Sequence, residues 1–305
     1  FMAVTFGLQE LAGKLSWLKK ILPLGATLLL IGSVSLTEWQ LHYWRNTETL
    51  FRHTLAVTQD NDIAHLNLGI TFDQQGRSEE ALAEYRETLR ISPDRQQIHF
   101  NIGVLLDKLG RPAEALAEFL EAIRLEPKVA RWHCAAGSEL AALGQFDEAL
   151  KEFSEAERLN PDYARPHIET AKVFFQQGRD PEAAGELHAA LRSEPDNFQT
   201  LATAAHYFAA NENAAARDGQ SALTIAIKAD DLSGHMQPMV LDTLGMAYAE
   251  TGDFINAQIC AQNALELAEV AKLKNIAAIR QRLELYKNRQ PWRESFRATN
   301  APGKN

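Results

Sequence analysis

The chain has 305 residues, of which 46% are hydrophobic and 23% charged, and a formal net charge of −9 at pH 7. That length exceeds what one compact core usually encloses, and the acidic balance repels phosphate backbones, which excludes nucleic acid as a partner. Cys134 and Cys260 have no CxxC or CxxH companion, so they fit neither a disulfide framework nor a zinc site and read as small buried apolar residues.

The first 45 residues differ in character from the rest. Residues 1–20 begin with FMAVTFGL and read as the end of a preceding apolar span followed by a cytoplasmic loop, so a chain opening on Phe1 reads as cut from something longer. Ile21 to Thr37 holds no charge, which predicts a transmembrane helix within a segment 21–44 that ends at the junction with the repeats. Trp17, Trp39, Tyr43 and Trp44 flank it where interfacial aromatics sit, and Lys14, Lys19 and Lys20 precede it. The positive-inside rule therefore puts the N-terminal flank in the cytoplasm and everything after Trp44 on the far side. Two other readings of the segment are a cleaved signal peptide, with Ser33-Val34-Ser35 as the small-x-small site, and a helix buried in a soluble fold. Against the second, its apolar residues run all round the helix.

From residue 45 the chain acquires a period of 34. Gly69, Gly103 and Gly137 recur at that interval and Ala171 continues them; each marks a point where paired helices come too close for a large side chain. Gly76, Gly110, Gly144 and Gly178 mark a turn inside each unit, and Pro93, Pro127, Pro161 and Pro195 end one. Ala81, Ala115, Ala149 and Ala183 open second helices, followed four residues on by Tyr85, Phe119, Phe153 and Leu187.

These residues resemble the tetratricopeptide repeat, with a small residue in helix A, Ala and an aromatic in helix B, and a closing Pro. The resemblance implies an all-α, right-handed superhelical solenoid, which would follow the N-terminal membrane helix read from residues 21–44. Residues 45–61 hold a lone helix B over Glu48 to Val57, and its missing helix A falls within the membrane-like segment, at about Leu28 to Leu41 by counting back one period. Continuity of that helix through Glu38 stays open at this level. Six repeats occupy 62–271: four in unbroken register at 62–95, 96–129, 130–163 and 164–197, a degenerate fifth at 198–237, and a sixth at 238–271. In the fifth the turn glycine is missing and NENAAARDG lengthens the connection, which predicts the weakest internal joint. Residues 272–305 supply a capping helix over Asn275 to Lys287, with polar Gln281, Arg282 and Glu284 suited to an exposed end, and a tail.

A second resemblance lies at both ends of the array. WQLHYWRNTETLFRHTLAVTQDNDIAHLNLG and LDTLGMAYAETGDF with RLELYKNRQPWRES look like the junction and closing segment of bacterial relatives of the transmembrane-and-TPR O-mannosyltransferase family. It implies a bacterial inner-membrane protein with extracytoplasmic repeats, a soluble or secreted chain being the alternative. It also implies a parent protein that is a membrane glycosyltransferase whose catalytic loop has no counterpart here, so no catalytic residue carries over.

No catalytic, cofactor-binding or metal-binding residue is assigned. His65, His99, His133 and His167 recur every 34 residues, but equivalent positions in successive repeats sit at least one interhelical spacing of roughly 8 to 10 Å apart, too far to share one ion. They read as packing or a repeated surface position. The expected activity is non-catalytic: binding a protein or an extended peptide. Helix A lines the inner surface of such an array, and Asn67 and Asn101 lie two residues before the small position, where asparagines of related superhelices bind peptide backbone. Ala135, Glu169, Thr203 and Thr243 break that series. Arg131 and Arg165, one period apart, with Lys108 and Lys172, form a local basic stretch suited to an acidic or C-terminal peptide. The stretch departs from the carboxylate clamp of chaperone-binding relatives, since Leu66 and Ile70 stand where that clamp is polar.

Overall fold

The computed structural model describes residues 18–273 and 276–297. The apolar opening and loop expected up to residue 17, Lys14 included, and the end of the tail from residue 298 lie outside these residues, as does Asn275. Among the described residues the chain is all-helical, with fifteen α-helices, one 3-10 turn and no strand. It forms two compact units, residues 1–98 and 99–305.

In the first unit α1 (Leu18–Tyr43) continues through Glu38 without a break. Its window from Leu24 to Leu41 has a mean hydropathy of 1.2 and no buried share, which makes it long and apolar enough to cross a membrane. A turn follows, and Asn46 caps α2 (Thr47–Val57) by accepting from the Thr49 amide at 2.8 Å. The Tyr43 ring stacks on His53 at 3.8 Å and fixes the joint. α3 (Asp62–Gln74) and α4 (Ser78–Ile91) make a close-packed pair: a Cβ built on Gly69 would stand 2.6 Å from the Tyr85 ring.

The second unit begins within α5 (Gln96–Lys108), which pairs with α6 (Pro112–Leu125). Further pairs are α7 (Ala130–Ala142) with α8 (Phe146–Leu159), α9 (Ala164–Gln176) with α10 (Asp180–Ser193), α11 (Phe198–Ala210) with α12 (Gly219–Ser233), and α13 (Pro238–Glu250) with α14 (Phe254–Val270). α15 (Ala277–Lys287) closes the series. A Cβ on Gly137 would lie 2.6 Å from the Phe153 ring, so the aromatic of one helix rests on the bare backbone of its partner. Where the ring is replaced by Leu187, the small residue is Ala171, and both are fully buried. Gly144 takes φ +78, and the Gln145 amide reaches back to the Leu140 carbonyl at 2.9 Å, closing a Schellman turn that only glycine enters without strain. Both cysteines are buried and free, and burial pushes the Cys134 thiol up to about 12.

One expectation is corrected here. Arg282 does not face solvent on a capping helix. It is buried and forms a bidentate pair with buried Asp242, while its guanidinium lies 5.4 Å from the Trp292 ring. Burial outweighs that pairing and still raises the Asp242 carboxyl. The lengthened connection of the fifth pair, the expected weakest joint, is braced by contacts that the sequence does not announce. The tail runs beside it: the Glu294 amide donates to the Ala210 carbonyl at 2.8 Å, and the Glu212 amide donates to the Glu294 carbonyl at 2.9 Å. His206 meets the Glu294 carboxylate at 3.0 Å, and the Phe296 ring packs 4.5 Å from Tyr207. Within the connection, Arg217 donates to the Asn211 and Glu212 carbonyls at 2.8 and 3.0 Å and reaches Glu250 at 2.9 Å. The backbone polar groups freed by the missing turn are thus satisfied by side chains and tail.

Two outcomes follow from this packing. Gly137→Ala should destabilise the second unit by about 1 to 3 kcal/mol, because the added methyl overpacks the Phe153 ring. Combining it with Phe153→Leu, the pairing that Ala171 and Leu187 already use, should cost less than the two single changes summed, as thermal unfolding of all four proteins would show; strict additivity would contradict it. Second, a chain stopped after Gln290 should be cleaved between Asn211 and Asp218 at least tenfold faster than the intact chain by a protease of broad specificity, on the order of 1.4 kcal/mol of lost local protection. Equal cleavage rates would show that the tail does not hold the connection.

Candidate functional site

The helices α7, α9 and α11 start one period apart, so residues near their N-terminal ends recur along one surface. Tyr163 is the residue before α9, and two hollows meet on it. The first, about 320 Å³, is lined by Arg165, Ile168, Glu169 and Lys172 of α9, with Gln199 and Thr203 of α11 opposite. The second, about 580 Å³, is lined by Lys128 and Arg131 before and at the start of α7, with Asn160 across from them. Arg131, Arg165 and Lys172 are therefore brought to one surface, on either side of a tyrosine that the sequence reading did not single out.

Glu169 alters the electrostatics of that surface. Glu169 is 8% exposed, and its carboxylate accepts from Arg165 Nε at 2.6 Å and from Lys172 Nζ at 3.0 Å. The expected block of positive charge is a cation–anion–cation cluster in which one acid serves two bases. The spacing that produces it is ordinary helical spacing, Arg165 four residues before Glu169 and Lys172 three after. Arg165 is 60% exposed, so the pair contributes little to stability, but it holds the guanidinium in place along the hollow. Arg131 is held differently, with its guanidinium 5.1 Å from the Phe100 ring.

The remaining expected residues lie elsewhere. Asn101 and Lys108, both on α5, line neither hollow. Asn67 belongs to the first unit, and its side-chain amide donates to the Ile63 carbonyl at 2.7 Å. Arg131, Arg165 and Lys172 are the members of the sequence-derived set that share this surface.

The four repeated histidines have a role in common. His65, His99, His133 and His167 each meet a glutamate on the following helix through Nδ1 at 2.7 Å: Glu84, Glu118, Glu152 and Glu186. Those glutamates also recur every 34 residues, a signal available in the sequence beside the histidines. Each pair joins helix A to helix B within one repeat. The Glu152 hydrogen bond is the main cause of a raised His133 pKa, with burial opposing it.

Comparison with known proteins bears on the fold. Family models described as tetratricopeptide repeat match residues 47–96, 66–130 and 240–270, and one described as TPR repeat matches 137–178, together just over half of the chain. No curated protein sequence matches it. Among solved structures, a tetratricopeptide repeat protein from Parabacteroides merdae is 17% identical over 79% of this chain and 91% of its own, with a TM-score of 0.56. The APC/C hetero-tetramer Cut9-Hcn1 gives 14%, 77%, 45% and 0.59, and PilF of Pseudomonas aeruginosa 19%, 72%, 96% and 0.53, in the same order. At these identities the likeness is one of fold.

The histidine pairs predict a pH dependence of definite sign. Because the folded-state pKa of His133 is raised, its pairing stabilises the fold fully below the ordinary imidazole pKa of 6.5 and loses that contribution as pH rises through the higher folded value. Glu152→Gln should therefore lower stability on the order of 1 kcal/mol at pH near 6 and progressively less at alkaline pH. Other titrations are common to both proteins, including that of Glu139, which burial pushes up to about 7, so the difference between the two melting curves isolates the pair. A difference independent of pH would contradict it.

Proposed function

Because this chain belongs to the tetratricopeptide-repeat family, we propose that it is a membrane-anchored scaffold that holds an extended polypeptide segment along α7, α9 and α11 and performs no chemistry itself. The observation that carries the reading is the pair of hollows meeting at Tyr163, with Arg131 on one side and the Arg165, Glu169 and Lys172 cluster on the other. An extended segment exposes backbone amides and alternating side chains. Tyr163 offers a surface for an apolar side chain, and the flanking bases offer charge-assisted hydrogen bonds to carboxylates. Glu169 already occupies Arg165 and Lys172, so an acidic ligand competes with an internal anion. That competition sets a modest affinity and selects for ligands that also reach Arg131.

α1 is the anchor in this reading. Its apolar side chains are exposed from Leu24 to Leu41, among them Leu29 at 77%, and Lys14, Lys19 and Lys20 precede that stretch in the sequence, which supports placing the repeats outside the cytoplasm. The short joint from Tyr43 to Thr47 favours a second reading, in which the same surface positions acceptor polypeptides for a multi-spanning membrane glycosyltransferase. A short joint holds an array at a fixed attitude to the bilayer, as presentation to a membrane-embedded reaction centre requires.

Selection from a peptide library, followed by titration at two salt concentrations, tests the binding surface. Arg131→Ala with Arg165→Ala should weaken captured peptides about tenfold or more, and salt should weaken the unmodified protein's binding. Glu169→Gln should tighten acidic peptides by freeing two bases. Capture of peptides whose affinity none of these changes alters would refute the assignment, and full extraction of the chain by alkaline carbonate would refute the anchor.

A further inference from the structure

One repeat breaks the pattern of its neighbours in a half-buried place. The third-from-last position of helix B carries Leu89, Ile123 and Leu191 in three repeats, but α8 carries Glu157 there. All four positions are half-buried. An aliphatic side chain suits such a position, and burial raises the Glu157 carboxyl above its usual range. The acid is placed where it meets something specific. Its Oε1 lies 3.3 Å from Nδ1 of His167 on α9, the same nitrogen that Glu186 Oε2 of α10 approaches at 2.7 Å. The three donor atoms all lie within 4.8 Å of one another. In the sequence, Leu55, Leu89 and Ile123 hold the corresponding positions ahead of His65, His99 and His133.

A neutral imidazole has one N–H to offer at Nδ1, and two carboxylates converge on it. An imidazolium leaves the trio with a net negative charge, and the Arg192 guanidinium opposes protonation of His167. A dication would neutralise both carboxylates and take the imidazole nitrogen as its third donor. We propose that Glu157, His167 and Glu186 form a divalent-cation site that clips α8 of one repeat to α9 and α10 of the next. The imidazole with two carboxylates is a donor set suited to Zn²⁺. At Zn–N and Zn–O distances of about 2.0 to 2.1 Å, neighbouring donors of a tetrahedral ion stand roughly 3.3 Å apart, so the spacing of Glu157 from His167 already suits an ion, while Glu186 would draw back from the imidazole and the two carboxylate oxygens, within 4.8 Å of each other, would adjust to it. The three side chains are 17 to 29% exposed, which leaves a route for the ion and room for water at its remaining position. The site is distinct from one shared among the repeated histidines, since it takes a single histidine and borrows its other ligands from two helices B. α9 also carries Arg165, Glu169 and Lys172, so an ion at His167 would stiffen the helix that walls the first hollow.

The test uses the full chain in detergent, stripped with EDTA. Zn²⁺ should bind at one site per chain and raise the unfolding temperature reversibly, and Co²⁺ should give the visible absorption of a low-coordinate ion with nitrogen and oxygen ligands. Glu157→Leu restores the kind of side chain that the other repeats carry, so it should fold at least as well while binding Zn²⁺ at least tenfold more weakly. Loss of groups that merely orient metal ligands costs 10- to 100-fold, and a direct ligand should matter no less. Equal Zn²⁺ affinity in the two proteins would overturn the proposal, as would an EDTA-stripped chain whose unfolding temperature and Co²⁺ spectrum do not respond to metal.

Discussion

The contact between a glycine on one helix and an aromatic ring on its partner sets the geometry on which the rest depends. With no Cβ at Gly137, the Phe153 ring lies against backbone, and the two helices approach more closely than any side chain on the first would allow. The same contact joins Gly103 to Phe119 and, in the first unit, Gly69 to Tyr85. Close approach brings His133 within hydrogen-bonding reach of Glu152, and the corresponding pairs within reach in the other repeats. It also fixes the spacing of successive helices A, which is why Arg131 and Arg165 emerge along one surface. A ring in place of Leu187 would require glycine rather than Ala171, so small and large positions are coupled.

On this scaffold charge is arranged locally, in pairs and triplets. Among the described residues, carboxylates stand beside many exposed bases, such as Glu121 beside Arg124 and Glu155 beside Arg158, each at 2.6 Å. Glu169 belongs to the same habit, and two bases of the stretch read from periodic spacing, Arg165 and Lys172, turn out to share an internal anion. A surface of this kind discriminates through the arrangement of its donors more than through a net field, and its contacts are short-ranged under physiological screening.

What the sequence made legible is what a single residue can enforce on the backbone. A glycine with positive φ at Gly144, a proline after four of the helices B and a small residue at the crossings leave marks that repeat every 34 residues, and the all-helical fold followed from them. The candidate surface was partly legible, since Arg131, Arg165 and Lys172 do share it. Glu169 was visible too, at helical spacing from both bases, but in a search for a ladder of asparagines it registered only as a gap. Partners without periodicity left no mark. Arg282 reads as a polar residue for an exposed end until Asp242, 40 residues earlier, is placed beside it. The tail carries no repeat signature, so its embrace of the lengthened connection depends on a fold that must exist first.

That embrace distinguishes two classes of contact by their reach along the chain. Glycine–aromatic crossings and histidine–glutamate pairs join residues less than twenty positions apart, whereas Glu294 meets His206 across 88. Contacts of short reach form with little loop entropy, so helical pairs can nucleate independently and zip onto their neighbours. The tail can dock only once the fifth and sixth pairs have assembled the surface it lies on. Docking of the tail therefore presupposes the array, whereas the array does not presuppose the tail, and the far end can open without dissolving the pairs beneath it.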